Sequence, residues 1–132
     1  MSKILNFTPH QVIFQRTDET DLVIPPQPEP IMVEAVMAPL PCHPADRIPI
    51  KSSAHYYLAG TCPCSVDSDD TVLVSTAVGH AVETMHVNDV KRYFGGNLPR
   101  ILSPGSGPGL CVRDAKGEIV KSLAAVCYVP KE

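Results

Sequence analysis

The residue types best suited to chemistry cluster late in the chain. Arg100 and Arg113 flank residues 103–109, which read Ser-Pro-Gly-Ser-Gly-Pro-Gly. Small residues let successive backbone N–H groups converge, so Ser103, Gly105, Ser106 and Gly107 are candidates for an anion-binding nest. The two guanidinium groups are the matching partners for phosphate. The run matches neither Gly-x-Gly-x-x-Gly nor a Walker loop, and Pro104 and Pro108 each remove a donor. An ordinary surface loop between exposed charges accounts for the same residues. A second anion site is possible at Ser75 and Thr76, where a helix is expected to begin and leave N–H groups unpaired. A plain N-cap is the alternative there. His10 follows Thr8 and Pro9 and offers either a general base or a structural hydrogen bond at a strand corner. No Ser, Cys or carboxylate stands in a triad motif, so no nucleophile and no catalytic residue is named.

Cys42, His43, His55, Cys62 and Cys64 are residue types that could ligate a metal. Structural zinc sites pair their ligands at C-x2–4-C spacing; Cys62 and Cys64 are one residue closer than that, and no second pair follows. No metal and no cofactor is expected. Cys111 and Cys127 fall in apolar stretches and are expected as small core residues.

These candidates need elements to hold them. Residues 3–6, 11–16 and 22–24 read as short strands, with Pro9 turning the corner between the first two. Residues 31–36 make a plausible strand, 39–46 a loop, and 47–50 with 55–59 a possible strand pair. Residues 60–70 are a polar, acidic loop. The run 71–74 is β-branched and apolar, as in a buried strand. The period then changes, because Val74, Val78, Val82 and Met85 share one helical face. Strand, cap and helix are therefore expected over 71–86, with a further helical turn at 88–94 ended by Gly95 and Gly96. Residues 110–113 and 118–121 predict a hairpin turning on Asp114, Ala115, Lys116 and Gly117, the last in the left-handed region. Residues 123–129 predict a final strand. The fold class is mainly β, a small sandwich or open barrel with one short α-helix.

At 132 residues the chain is expected to be one domain over 1–132, and an apolar content of 44% is enough for a core. With 14 prolines, long helices are not expected. The net charge of −3 speaks against DNA as a partner. Charge is uneven: residues 1–70 hold 4 Lys and Arg against 9 Asp and Glu, and residues 71–132 hold 7 against 5, so an anion site belongs in the second half. No run is long and apolar enough for a membrane span, and no signal peptide is visible. Five cysteines, an odd number, fit reduced thiols and a cytoplasmic location.

Four stretches, taken in order, resemble one family. Asn6, Phe7, Thr8, Pro9 and His10 are similar to the Asn-Leu-Thr-Pro-His opening of a family of small phage and prophage proteins. Ile24-Pro25-Pro26, Val74-Ser75 with its short helix, and the Pro-rich loop leading to Arg113-Asp114-x-x-Gly117 match later features. The chain departs from the family pattern at Ile31-Met32-Val33, where members carry Ala-Arg-Val. The resemblance implies a bacterial host cytoplasm and a relation to phage proteins that sequester immune signals. On that reading the chain is a non-enzymatic, homo-oligomeric sponge for a small anionic nucleotide, cyclic or ADP-ribose-type, that blocks anti-phage defence. The alternatives are a structural or interaction accessory phage protein without a small ligand and, as a lesser reading, a nucleotide hydrolase using His10.

Overall fold

The computed structural model describes residues 2–42, 44–52 and 55–132. His43, a candidate metal ligand by residue type, lies outside the described residues. In chain order the elements are β1 (Ile4–Asn6), β2 (Val12–Gln15), β3 (Asp21–Ile24), β4 (Glu34–Val36), β5 (Pro39–Leu40), β6 (Ile50–Lys51), β7 (His55–Tyr57) and β8 (Thr71–Leu73). Then follow α1 (Thr76–Thr84), α2 (Val87–Tyr93), β9 (Arg100–Pro104), β10 (Cys111–Arg113), β11 (Ile119–Ser122) and β12 (Ala125–Tyr128). The fold is mainly β, as expected, and among the described residues no sheet closes into a barrel.

One sheet has the order β1-β8-β9-β12, with β1, β8 and β9 parallel and β12 antiparallel to β9. The second has the order β10-β11-β2-β3, its two hairpins joined by a parallel pairing at Ser122 and Phe14. Strand alternation divides the first sheet between two cores. Val72 and its register partner Ile101 pack with Val78 and Val82 of α1 and Val90 and Tyr93 of α2. Leu73 and its partner Leu102 point the other way, onto Val12 and Ile24 of the second sheet. β8 is thus buried on both faces, which explains its unbroken β-branched and apolar run. Side chains as deeply buried as Leu73 and Ile101 each contribute about 1.5–3 kcal/mol.

The junction from β8 to α1 forms as its sequence directs. Ser75 is extended, at φ −67 and ψ 161, and its Oγ accepts the Val78 N–H at 3.3 Å. The described residues hold two helices rather than one, because the turn expected at 88–94 is the full element α2. His86 caps it through Nδ1, which accepts the Asn88 N–H at 3.0 Å. Asp89 near its start and Lys91 and Arg92 near its end suit the helix dipole. The hairpin of β10 and β11 also forms, and Gly117 takes φ +83.

Other expectations need correction. Residues 103 and 104 are not loop: they end β9, where Ser103 points into the core in step with Ile101. The strands near 47–50 and 55–59 do not pair with each other. Instead β7 pairs with β4 and β6 with β5, as two separate two-stranded sheets. Cys127 is exposed, because alternation along β12 turns Tyr128 inward at its expense. Cys111 is only half-buried.

Candidate functional site

A cleft of about 320 Å³ opens where the corner after β1, the start of α1 and strand β11 meet. It gathers Thr8, His10, Ser75, Thr76 and Ser106, candidates from three distant parts of the chain. Its walls add Val12, Ile13, Ile119 and Val120, and its rim adds Gln11 and Lys121.

The corner that carries His10 is built on Asn6, which is fully buried. Asn6 Nδ2 donates to the carbonyls of His10 at 2.8 Å and Ile24 at 3.0 Å. Its Oδ1 accepts the Thr8 N–H at 2.9 Å and the Thr8 hydroxyl at 2.6 Å. The Thr8 hydroxyl also lies 2.9 Å from the His10 carbonyl. Thr8 therefore shapes the corner, and its hydroxyl is already engaged. The exposed His10 ring is left at the cleft.

Across the cleft, α1 presents its first turn. Val78 N–H is taken by the Ser75 cap, whereas the N–H groups of Thr76 and Ala77 have no acceptor within the helix. The positive end of the helix dipole faces the same space. Lys121 Nζ stands 3.3 Å from Asp21 Oδ1, an ion pair that leaves part of its charge field open to solvent. No carboxylate is among the described residues that line the cleft. A small anion thus meets helix N–H groups, the His10 imidazole, the Lys121 ammonium that it shares with Asp21, and apolar walls.

The other candidates lie elsewhere. Arg100 sits at the far end of β9, its Nε donating to Thr71 Oγ1 at 3.1 Å, beside Lys3 and Asp70. Arg113 uses its fork on backbone carbonyls, those of Gly117 at 2.6 Å and Ser106 at 3.0 Å, so it pins the loop to the hairpin. Ser103 is buried and shares a 2.7 Å hydrogen bond with the Tyr128 hydroxyl. Gly105 donates its N–H to Ala124 O at 2.9 Å, and a Cβ there would come within 2.7 Å of that oxygen. Gly107 closes a turn by accepting from Leu110 N–H at 3.0 Å. Ser103, Pro104 and Gly105 are therefore tied into the sheet, while residues 106–109 lead through a turn to Leu110. Lys121 and the apolar walls were missed as site residues because the parallel contact between β2 and β11 joins segments a hundred residues apart, with no local signal.

A larger cleft of about 470 Å³ lies between β7 and the two helices. Its basic residue Arg92 is paired with Asp89 at 3.3 Å. Burial pushes the neighbouring Tyr93 hydroxyl up to about 12, so it stays protonated. Asp67, Asp69 and Asp70 bring carboxylate oxygens within 4.8 Å of one another. The Asp70 oxygens already accept N–H groups from Lys3 at 3.0 Å and Asp67 at 2.9 Å. No protein-family model, curated protein or solved structure matches this chain.

Proposed function

We propose that this protein binds a small phosphate-bearing nucleotide in the cleft between the Asn6–His10 corner, the start of α1 and β11, and holds it without chemical change. The observation that carries this reading is the cleft, lined by no carboxylate among the described residues, in which the helix start, His10 and Lys121 meet. Phosphate suits the helix start and the Lys121 ammonium, with the His10 ring as a hydrogen-bond partner. The base or sugar suits Val12, Ile13, Ile119 and Val120. The resemblance of the corner to small phage proteins supports a cyclic or ADP-ribose-type ligand, sequestered as an immune signal.

The test is calorimetry with cyclic dinucleotides, ADP-ribose and inorganic phosphate, followed by heating and mass analysis of the released ligand. A nucleotide is expected to bind more tightly than phosphate and to return at unchanged mass. His10→Ala and Lys121→Ala are each expected to weaken it about tenfold, the worth of one charge-assisted contact. Return of a cleaved nucleotide would favour the hydrolase reading instead. Absence of binding to every nucleotide offered would remove the proposal.

A further inference from the structure

We propose that Cys62 and Cys64 form a redox site, a dithiol that reacts with small disulfides and closes to an intramolecular disulfide. The two residues frame Pro63 and line one cleft of about 340 Å³ beside Tyr93 and Phe94, at the end of α2. This cleft shares no lining residue with the nucleotide cleft, and the redox site is tested without any nucleotide.

The loop that carries the pair is fastened at both ends. Cys62 N–H donates to the Tyr93 carbonyl at 2.8 Å, and Asn97 Nδ2 donates to the Val66 carbonyl at 2.8 Å. Val66 is itself buried in the main core. Two residues span at most about 7 Å when extended, and a disulfide bridges Cα atoms about 4.4–6.8 Å apart. The backbone bends at Pro63 and Cys64, which brings the pair below the extended limit. Pro63 also fixes its own φ, so less of the bend has to be ordered when the sulfurs join. Closure therefore leaves the sheets and helices where they are.

The two thiols differ in their surroundings, and that assigns their order of reaction. Cys64 is exposed, whereas Cys62 is half-buried and packs against the main core. Burial pushes the Cys62 thiol up; the Cys64 N–H opposes this, and the Cys64 thiol beside it adds to the rise. A thiol raised in this way offers little thiolate for a first attack. Cys64 therefore attacks first: it loses its proton, its sulfur bonds to one sulfur of the small disulfide, and the other sulfur leaves as a thiolate. Cys62 then gives up its proton, attacks the Cys64 sulfur and expels the second thiolate. The two protein thiols lose two electrons and two protons, and the oxidant, a disulfide of the glutathione class, takes both up as two thiols.

The test exposes the folded wild type to oxidised glutathione, quenches with acid and maps the cysteines by mass. Cleavage after Lys and Arg releases residues 52–91 as one peptide whose only cysteines are Cys62 and Cys64. That peptide is expected to lose two hydrogen atoms, to carry no lasting glutathione, and to recover its mass with dithiothreitol. Cys62→Ser keeps the attacking thiol and removes the resolving one. It is expected to hold glutathione on Cys64 at least about tenfold above the wild-type level. Should that variant not fold, as judged by circular dichroism, the wild-type ratio of internal to mixed disulfide decides alone. Persistent glutathione on the wild-type peptide, a bridge from Cys62 or Cys64 to another cysteine, or closure seen only in urea would each overturn the proposal.

Discussion

Replacing Asn6 with Ala should cost more stability than any single polar change at the candidate cleft. The side chain has two N–H donors and an acceptor oxygen, and all are used: two carbonyls accept from Nδ2, and Thr8 donates twice to Oδ1. At about 1 kcal/mol net per hydrogen bond, the lost contacts amount to roughly 4 kcal/mol. Buried partners left unpaired raise that figure, and water entering the vacated space lowers it, so about 3–5 kcal/mol is expected. For a domain of this size, the loss corresponds to a fall in Tm of about 10–20 °C. Thr8→Val removes one hydroxyl and should cost about 1 kcal/mol. Urea titration followed by circular dichroism, paired with calorimetric melting, measures both variants. If Asn6→Ala melts within about 3 °C of the wild type, the corner is not held by this side chain, and the account of how His10 is positioned fails with it.

Gly117→Val should destabilise the hairpin by about 1–3 kcal/mol and Lys116→Ala hardly at all, because only residue 117 sits at positive φ; equal melting temperatures would contradict the turn. Gly79→Ala brings a Cβ within 2.3 Å of the Tyr128 ring and should lower Tm, whereas Ala77→Gly, on the exposed side of the same helix, should cost only about 1 kcal/mol; the two melts compared test the close packing. Asp70 is held below its ordinary value of 3.8 by the Asp67 N–H, then by the N–H and charge of Lys3, so its contribution is present above that value and is lost as pH falls through the lower, folded value. Asp70→Asn should therefore be less stable than wild type at neutral pH, with the gap narrowing below pH 3.8 in urea titrations; a gap independent of pH would refute this. Arg113→Ala should loosen residues 106–117, seen as faster amide exchange there, and change nucleotide affinity less than His10→Ala does.

Local signals in the sequence located local elements. Val74, Val78, Val82 and Met85 marked α1, Ser75 marked its cap, and Gly117 marked the hairpin turn. What escaped notice depends on distant partners. Ser103 lies in a run of Gly, Pro and Ser that reads as loop, yet its register opposite Val126 in β12 and the Tyr128 hydroxyl beside it hold it in a sheet. Arg100 and Arg113 flank the same loop in sequence, but β9 and the hairpin carry them to separate places. The cleft shared by His10, Ser75 and Ser106 needs the parallel pairing of β11 with β2, which no window of residues encodes. Residues 47–50 and 55–59 read as a pair with each other, whereas the true partners, β5 for β6 and β4 for β7, lie on the other side of the proline-rich stretch.

The parallel arrangement of β1, β8 and β9 also fixes when this chain can become stable. A hairpin closes as soon as its second strand exists. β1, at the edge of its sheet, must wait for β8 and gains a complete sheet only once β9 and β12 are present. On a ribosome, a nascent chain ending before residue 100 lacks Ile101 and Leu102, which fill both faces of the first sheet. Most of the polypeptide, including the apolar strand β8 and the buried face of α1, is therefore made before the strands that complete its core. Non-local parallel pairing of this kind slows folding and prolongs exposure of sticky surface. Cells producing the protein should need a holding chaperone through that interval, and a chain truncated at residue 99 should aggregate instead of folding in part.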